Sequence, residues 1–271
     1  MSNFAKPTVG MSWSEEVNRA ERVALFLVVV CTIFFSASLT QARPLNFAVM
    51  DLAPYGYITT EGRHAGLFSV MNEAILKEGG FNGESRVVPT KRLTRQMEAK
   101  ITDCALFHRT PWSETHLLPV ATIGQTLHTL IIAKKEVNIS RYDDLKLIPI
   151  ATLRGSHYGH RFDHDNQLEK LYTEDYLQSV RLLKVGRVGA VIGTDLSLYF
   201  VIKKVGIPLK DLADPLVLTS RPIWLHCSRQ LSDTLPIDRI RKAVVDLRER
   251  GFFQNIIDQY LKEIELHSNI R

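Results

Sequence analysis

Residues 45–80 read LNFAVMDLAPYGYITTEGRHAGLFSVMNEAILKEGG. Leu45 to Met50 is a short apolar run, stopped by Asp51 and Pro54, which is the signature of a buried strand. Phe68 to Lys77 then places Phe68, Met71, Ala74 and Ile75 on one helical face, and Gly79-Gly80 ends it. A buried strand followed by an amphipathic helix is half of a parallel βαβ unit.

The pattern continues outward from that stretch. Arg86-Val87-Val88 reads as a second strand, Leu93 to Ala99 as a helix and Asp103 to Phe107 as a third strand. Leu127 to Ala133 is a long apolar strand. A second unit of the same design follows, with strands at Leu147 to Ala151 and Val188 to Ile192 and helices at Glu174 to Leu183 and Asp195 to Val205. Ile223 to Cys227 is a further strand, and Ile237 to Arg250 and Phe252 to Ile264 are amphipathic helices parted by Gly251. Alternating strands and helices predict an α/β protein with parallel-rich sheets.

The chain of 271 residues is 45% hydrophobic and 23% charged, an ordinary globular balance that excludes a disordered chain. Its net charge of +5 lies outside the leader, where Lys6, Arg19 and Arg22 are matched by Glu15, Glu16 and Glu21. The surplus favours anionic ligands or surfaces, but it forms no basic block, so no nucleic-acid partner is expected.

Residues 23–35 are uncharged and apolar, Arg19 and Arg22 precede them, and small residues lead to Ala42. That order predicts a secretory signal peptide over residues 1–42, cut after Ala42, with translation starting at Met1 or Met11. The strongly apolar part is shorter than the roughly 20 residues a bilayer span needs; a retained anchor is the alternative. Cys31 lies in the leader, in a poor context for lipid attachment. Cys104 and Cys227 remain in the body, as free thiols or as a disulfide.

Several motifs then occur in a fixed order. Ala53-Pro54-Tyr55-Gly56-Tyr57 and Gly66-Leu67-Phe68 come first, followed by Lys100-Ile101-Thr102-Asp103-Cys104-Ala105 and Thr110-Pro111. Tyr142-Asp143-Asp144-Leu145, Arg154-Gly155-Ser156 and Gly186-Arg187-Val188-Gly189-Ala190-Val191 follow, and Leu247 to Tyr260 closes the series. Over residues 44–262 this series resembles the family 3 extracellular solute-binding proteins of the amino-acid-binding type. The resemblance implies a periplasmic-binding fold of type II, two α/β lobes joined by a two-strand hinge. Residues 43–133 would form the first part of lobe I, 134–219 lobe II, and 220–271 the return to lobe I, with crossings near Ala133-Lys134 and Thr219–Pro222. It also sets the Cys104 strand beside the Cys227 strand.

The resemblance further implies a small polar solute, an amino acid or related anion, held between the lobes and delivered to an ABC-type membrane permease by a periplasmic, monomeric protein. Arg109 and Thr110 follow the third strand, and an arginine there can grip a carboxylate with two parallel hydrogen bonds. The family's Thr-Pro-x-Arg arginine falls at Ser113, so Arg109 would replace it. Arg154, Gly155 and Ser156 would offer a helix start whose N–H groups receive an anion, with His157 and Tyr158 bordering it. Tyr55 and Tyr57 can cover the ligand's flat part. Asp195 can take an ammonium group, although the family's acid aligns with Thr194, and another family aspartate is Gly189 here.

No cofactor and no metal is expected. The cluster from His157 to Asp165 holds three histidines and two aspartates but matches no metal spacing. No Walker loop, HExxH or Gly-x-Ser-x-Gly elbow is present, so no catalytic residue is assigned. A ligand-sensing module docked on a membrane signalling partner is the second expectation, and a dehydratase or hydrolase using Asp195 or Asp51 the third.

Overall fold

The computed structural model describes residues 43–263. The leader, its cut after Ala42, Cys31 and Ile264, where the expected terminal helix ended, lie outside them.

An eight-stranded sheet runs in the order β4-β1-β5-β10-β6-β9-β7-β8. The strands are β1 (Leu45–Met50), β4 (Gly83–Val88), β5 (Cys104–His108), β6 (Leu117–Ala133), β7 (Ile150–Leu153), β8 (Lys170–Thr173), β9 (Ala190–Thr194) and β10 (Leu216–Ser228). A small hairpin pairs β2 (Tyr57–Ile58) with β3 (His64–Ala65). The helices are α1 (Leu67–Glu78), α2 (Thr90–Glu98), α3 (Pro111–His116), α4 (His160–His164), α5 (Tyr176–Lys184), α6 (Asp195–Val205), α7 (Ile237–Glu249) and α8 (Phe252–Glu263). The strand–helix alternation expected from the sequence is present. It omitted α3, β8 and the hairpin, which are short and carry little periodicity.

The Leu127–Ala133 strand is the second half of β6, which begins at Leu117. β6 serves two cores. Ile123 and Leu127 pack with Phe47, Phe68, Ile75 and the α7 residues Ile240 and Val244. Leu130 packs with Val180, Val191, Leu198 and Ile202, and Ile131 with Leu145 and Ile192. β10 makes the same change between Leu218 and Ile223. β6 thus changes core upstream of the Ala133-Lys134 junction named from the sequence. Its apolar run continues through the passage, so no break in hydropathy marks the place.

Cys104 and Cys227 are joined by a disulfide between β5 and β10, where they stand directly opposite each other in the ladder. Both are fully buried. Gly66, just after the hairpin and at the N-cap of α1, has to be glycine. Its φ is 118°, and a Cβ there would lie 2.5 Å from the Tyr55 carbonyl. Gly189, standing where the family carries aspartate, has a similar reason: a Cβ would meet Ile148 Cβ at 2.8 Å.

His226, on β10, is 1% exposed and stacks on Phe107 at 4.3 Å, and among the described residues neither ring nitrogen has a hydrogen-bond partner. Burial, with Arg109 and His108 nearby, lowers its pKa to about 4. The unfolded ring titrates near 6.5, so the unfolded state takes up a proton first as pH falls. Stability is therefore whole above about 6.5 and declines until about 4. Relative to His226→Phe, the unmodified protein is expected to lose about 3 kcal/mol of unfolding free energy over that window. Urea midpoints at pH 7 and pH 4 check this; parallel losses in the two proteins would refute it.

Candidate functional site

The register fixes where the strand ends point. β5 runs antiparallel to β10, with His108 opposite Ile223. β9 runs antiparallel to β6, with Thr194 opposite Thr129, which in turn faces Thr219 of β10. β1 and β4 run parallel with β5, and β7 and β8 with β9. All six parallel strands therefore aim their carboxyl ends at the short span between Thr219 and Ile223. That span is about 13 Å at the usual rise per residue. Ligands of open α/β sheets bind outside such ends, and here two sets face each other.

The loops at those ends carry the residues singled out from sequence. Tyr55 and Asp195 meet there, but as partners of one another. Tyr55 Oη donates to Asp195 Oδ1 at 2.9 Å. The same oxygen accepts from Leu196 N at 2.7 Å, and Oδ2 accepts from His128 N at 3.2 Å. Tyr55 is 2% and Asp195 4% exposed. Burial, followed by the Asp195 charge, pushes the Tyr55 hydroxyl well above its usual value, and burial raises Asp195 as well. The pair ties the loop after β1 to the start of α6. Thr194, at the position of the family's acid, holds its backbone N–H against Tyr176 Oη at 3.2 Å.

Tyr57 lies in the hairpin and is exposed. Arg109 pairs with Glu114 at 3.3 Å and stands over the Trp224 ring at 5.6 Å. Thr110 is the N-cap of α3; its hydroxyl accepts from Ser113 N at 3.1 Å, and Ser113 Oγ accepts from Thr110 N at 2.8 Å. Ser113 is buried in that capping box, so the position of the family's arginine is structural here.

Arg154 pairs with Glu174 at 2.9 Å. Gly155 and Ser156 do not open a helix, which corrects the expectation from sequence: α4 starts at His160, with Gly159 as its N-cap. The reason is Asp163, whose carboxylate accepts from Tyr158 N and Gly159 N and so holds residues 155–159 as an open turn. His157 is exposed, with Nδ1 3.6 Å from Asp163. Tyr158 is buried, and its hydroxyl accepts from Leu153 N at 3.3 Å. Among the described residues no three metal-ligating side chains converge.

Two residues that sequence reasoning passed over reach the same place. A Cβ on Gly155 would lie 3.6 Å from Lys91 Cε, and one on Gly159 would lie 4.0 Å from Arg221 Nη2. His108 senses the same charge. Burial, then Arg221, lowers its pKa to about 4. Lys91 sits in a polar helix and Arg221 in a strand passage, so neither stands out before the chain is folded.

No family model matches the chain. The probable amino-acid-binding protein YxeM of Bacillus subtilis is 27% identical over 137 residues, which are 49% of this chain and 51% of that protein. The chain thus spans about half the length of the curated relative it matches. An arginine-binding protein from T. maritima superposes with a TM-score of 0.66 at 15% identity, covering 82% of this chain and 96% of that one. A histidine kinase sensor domain similar to periplasmic binding proteins gives 0.67 at 17%, covering 82% and 97%. The arginine-, lysine-, histidine-binding protein ArtJ of Geobacillus stearothermophilus gives 0.64 at 16%, covering 82% and 100%.

Proposed function

We propose, from the type II periplasmic-binding fold that this chain has, that it is an exported receptor which captures a small polar solute, an amino acid or related anion, between its lobes and presents it to an ABC-type membrane permease. The observation that carries this reading is the facing of two sets of strand ends across one short passage of β6 and β10. Lobe I comprises the chain before the β6 passage and after the β10 passage, and lobe II the segment between them. Closing two walls on a solute excludes water and strengthens every polar contact inside. The buried disulfide fits an oxidising compartment, in line with a leader removed on export. Among the described residues no helix is long and apolar enough to cross a membrane. The proteins it resembles are binding proteins, and binding without chemistry is the reading here.

The ligand wall is proposed to include Arg109, Arg154, Gly155, Ser156 and His157, with Tyr57 and Thr110 at its margin. Tyr55, Tyr158 and Asp195 support that wall from inside. A thermal-shift panel of amino acids and small carboxylates tests the function, because a ligand of the native state must stabilise it. At one hundred times the dissociation constant the gain is about 2.7 kcal/mol, or roughly 5–10 °C for a domain of this size. A flat panel across all solutes would exclude the receptor reading.

The likeness to a histidine kinase sensor domain supports a second reading, in which the same cleft reports to a membrane signalling partner. Mass spectrometry of the exported protein separates the two. A cleaved N-terminus in the soluble fraction favours transport, and an intact one in the membrane fraction favours sensing.

A further inference from the structure

Within the cleft, charge is distributed unevenly. Glu114 is matched by Arg109 and Glu174 by Arg154. Asp195 is buried with three donors on its two oxygens. Asp163, the acid nearest the 155–159 turn, accepts from Tyr158 N and Gly159 N. Asp51, just past β1, is exposed. Against these, Lys91 and Arg221 have no carboxylate within ion-pair distance among the described residues, and both reach the 155–159 turn. Among the described residues the backbone N–H groups of Gly155 and His157 on that turn have no acceptor either.

Three separate elements supply these groups. Lys91 comes from the first turn of α2, which holds no acidic residue. Arg221 comes from the β10 passage and the turn from the loop after β7. Two cations without carboxylate partners give that turn a local positive charge, and an oxyanion bound there offsets this charge while taking up the free N–H donors.

We propose that Lys91, Arg221 and the Gly155–Gly159 turn form an oxyanion seat, and that the solute this protein takes carries a net negative charge. The inference rests on the receptor reading and narrows its substrate class. It sets this chain apart from its arginine-binding structural relatives, whose ligand is a cation. The anionic group bridges lobe I, the hinge and lobe II, so seating it draws the walls together. Asp195 is buried, with protein donors on both oxygens, so it does not serve an ammonium group on the ligand. A carboxylate and a phosphate share the chemistry this seat recognises.

The test is calorimetry and thermal shift with the purified protein against glutarate, glutamate, inorganic phosphate, arginine and lysine. Anions are expected to raise Tm and cations to leave it unchanged. A response to glutarate and glutamate identifies the carboxylate, and a response to phosphate alone identifies the phosphate. Lys91→Gln and Arg221→Gln are each expected to weaken the anion at least tenfold without lowering the Tm of the unliganded protein, whereas Arg187→Gln, distant in sequence and exposed, keeps wild-type affinity. Binding of arginine or lysine with no response to anions would overturn the seat while leaving the receptor reading intact. So would full anion affinity in both the Lys91 and Arg221 variants. No response to any solute would remove the receptor reading and the seat together.

Discussion

Asp195→Ala is expected to lower the unfolding free energy by about 4 kcal/mol, with no ligand present. The substitution strands three donors at once: the Tyr55 hydroxyl and the backbone N–H groups of His128 and Leu196. An unsatisfied buried donor costs about 1–3 kcal/mol, and removing the poorly solvated carboxylate returns part of that loss. The donors belong to the loop after β1, the passage of β6 and the start of α6, so the defect sits where the two cores meet. Leu196, the next residue, already packs in the core containing Tyr55, which anchors the first turn of α6 there. Tyr55→Phe, which removes one donor from an otherwise satisfied carboxylate, is expected to cost less, about 1–2 kcal/mol. Urea denaturation of the three proteins measures the order. Equal stability of the alanine variant and the unmodified protein would mean that the carboxylate is free in solution, returning Asp195 to the ligand wall.

Loss of the disulfide is the second large effect. Cys104 and Cys227 are 123 positions apart, and the cross-link closes almost the whole of the chain between β5 and β10. Loop-closure entropy for that separation corresponds to about 4–5 kcal/mol at 25 °C. The Cys104→Ala/Cys227→Ala double variant is expected to lose that amount, read from denaturant midpoints. Because both residues are fully buried, dithiothreitol is expected to leave the folded protein oxidised and to reduce it only in denaturant, as thiol labelling followed by mass spectrometry would report. Rapid labelling of both sulfurs in native buffer would contradict this burial.

The elements that drive folding were legible in the sequence wherever one core decides a residue's environment. The run Leu45–Met50 is almost wholly buried as β1, and Phe68, Met71 and Ile75 face the core as their spacing requires. β6 was read only in part. Its first half is interrupted by Pro119, Thr122 and Gly124, and its pattern changes where it passes from one core to the other. The site was less legible. Arg109 and Arg154 follow strands as read, but the helix start expected at Gly155-Ser156 is an open turn, and nothing local told that Tyr55 and Asp195, 140 positions apart, would bond to each other. Thr110 and Ser113 resemble a ligand motif in sequence and form a helix cap in space.

The sequence by itself determined the α/β alternation, the helix stops at glycine and the family resemblance, because hydrophobic period and turn chemistry act over a few residues. Only the tertiary structure decided the pairing of Cys104 with Cys227, the burial of Asp195 and the approach of Lys91 and Arg221 to the two ends of the 155–159 turn. Those outcomes depend on the register of β5, β6, β9 and β10, which is set by the packing of two cores on shared strands rather than by any local segment.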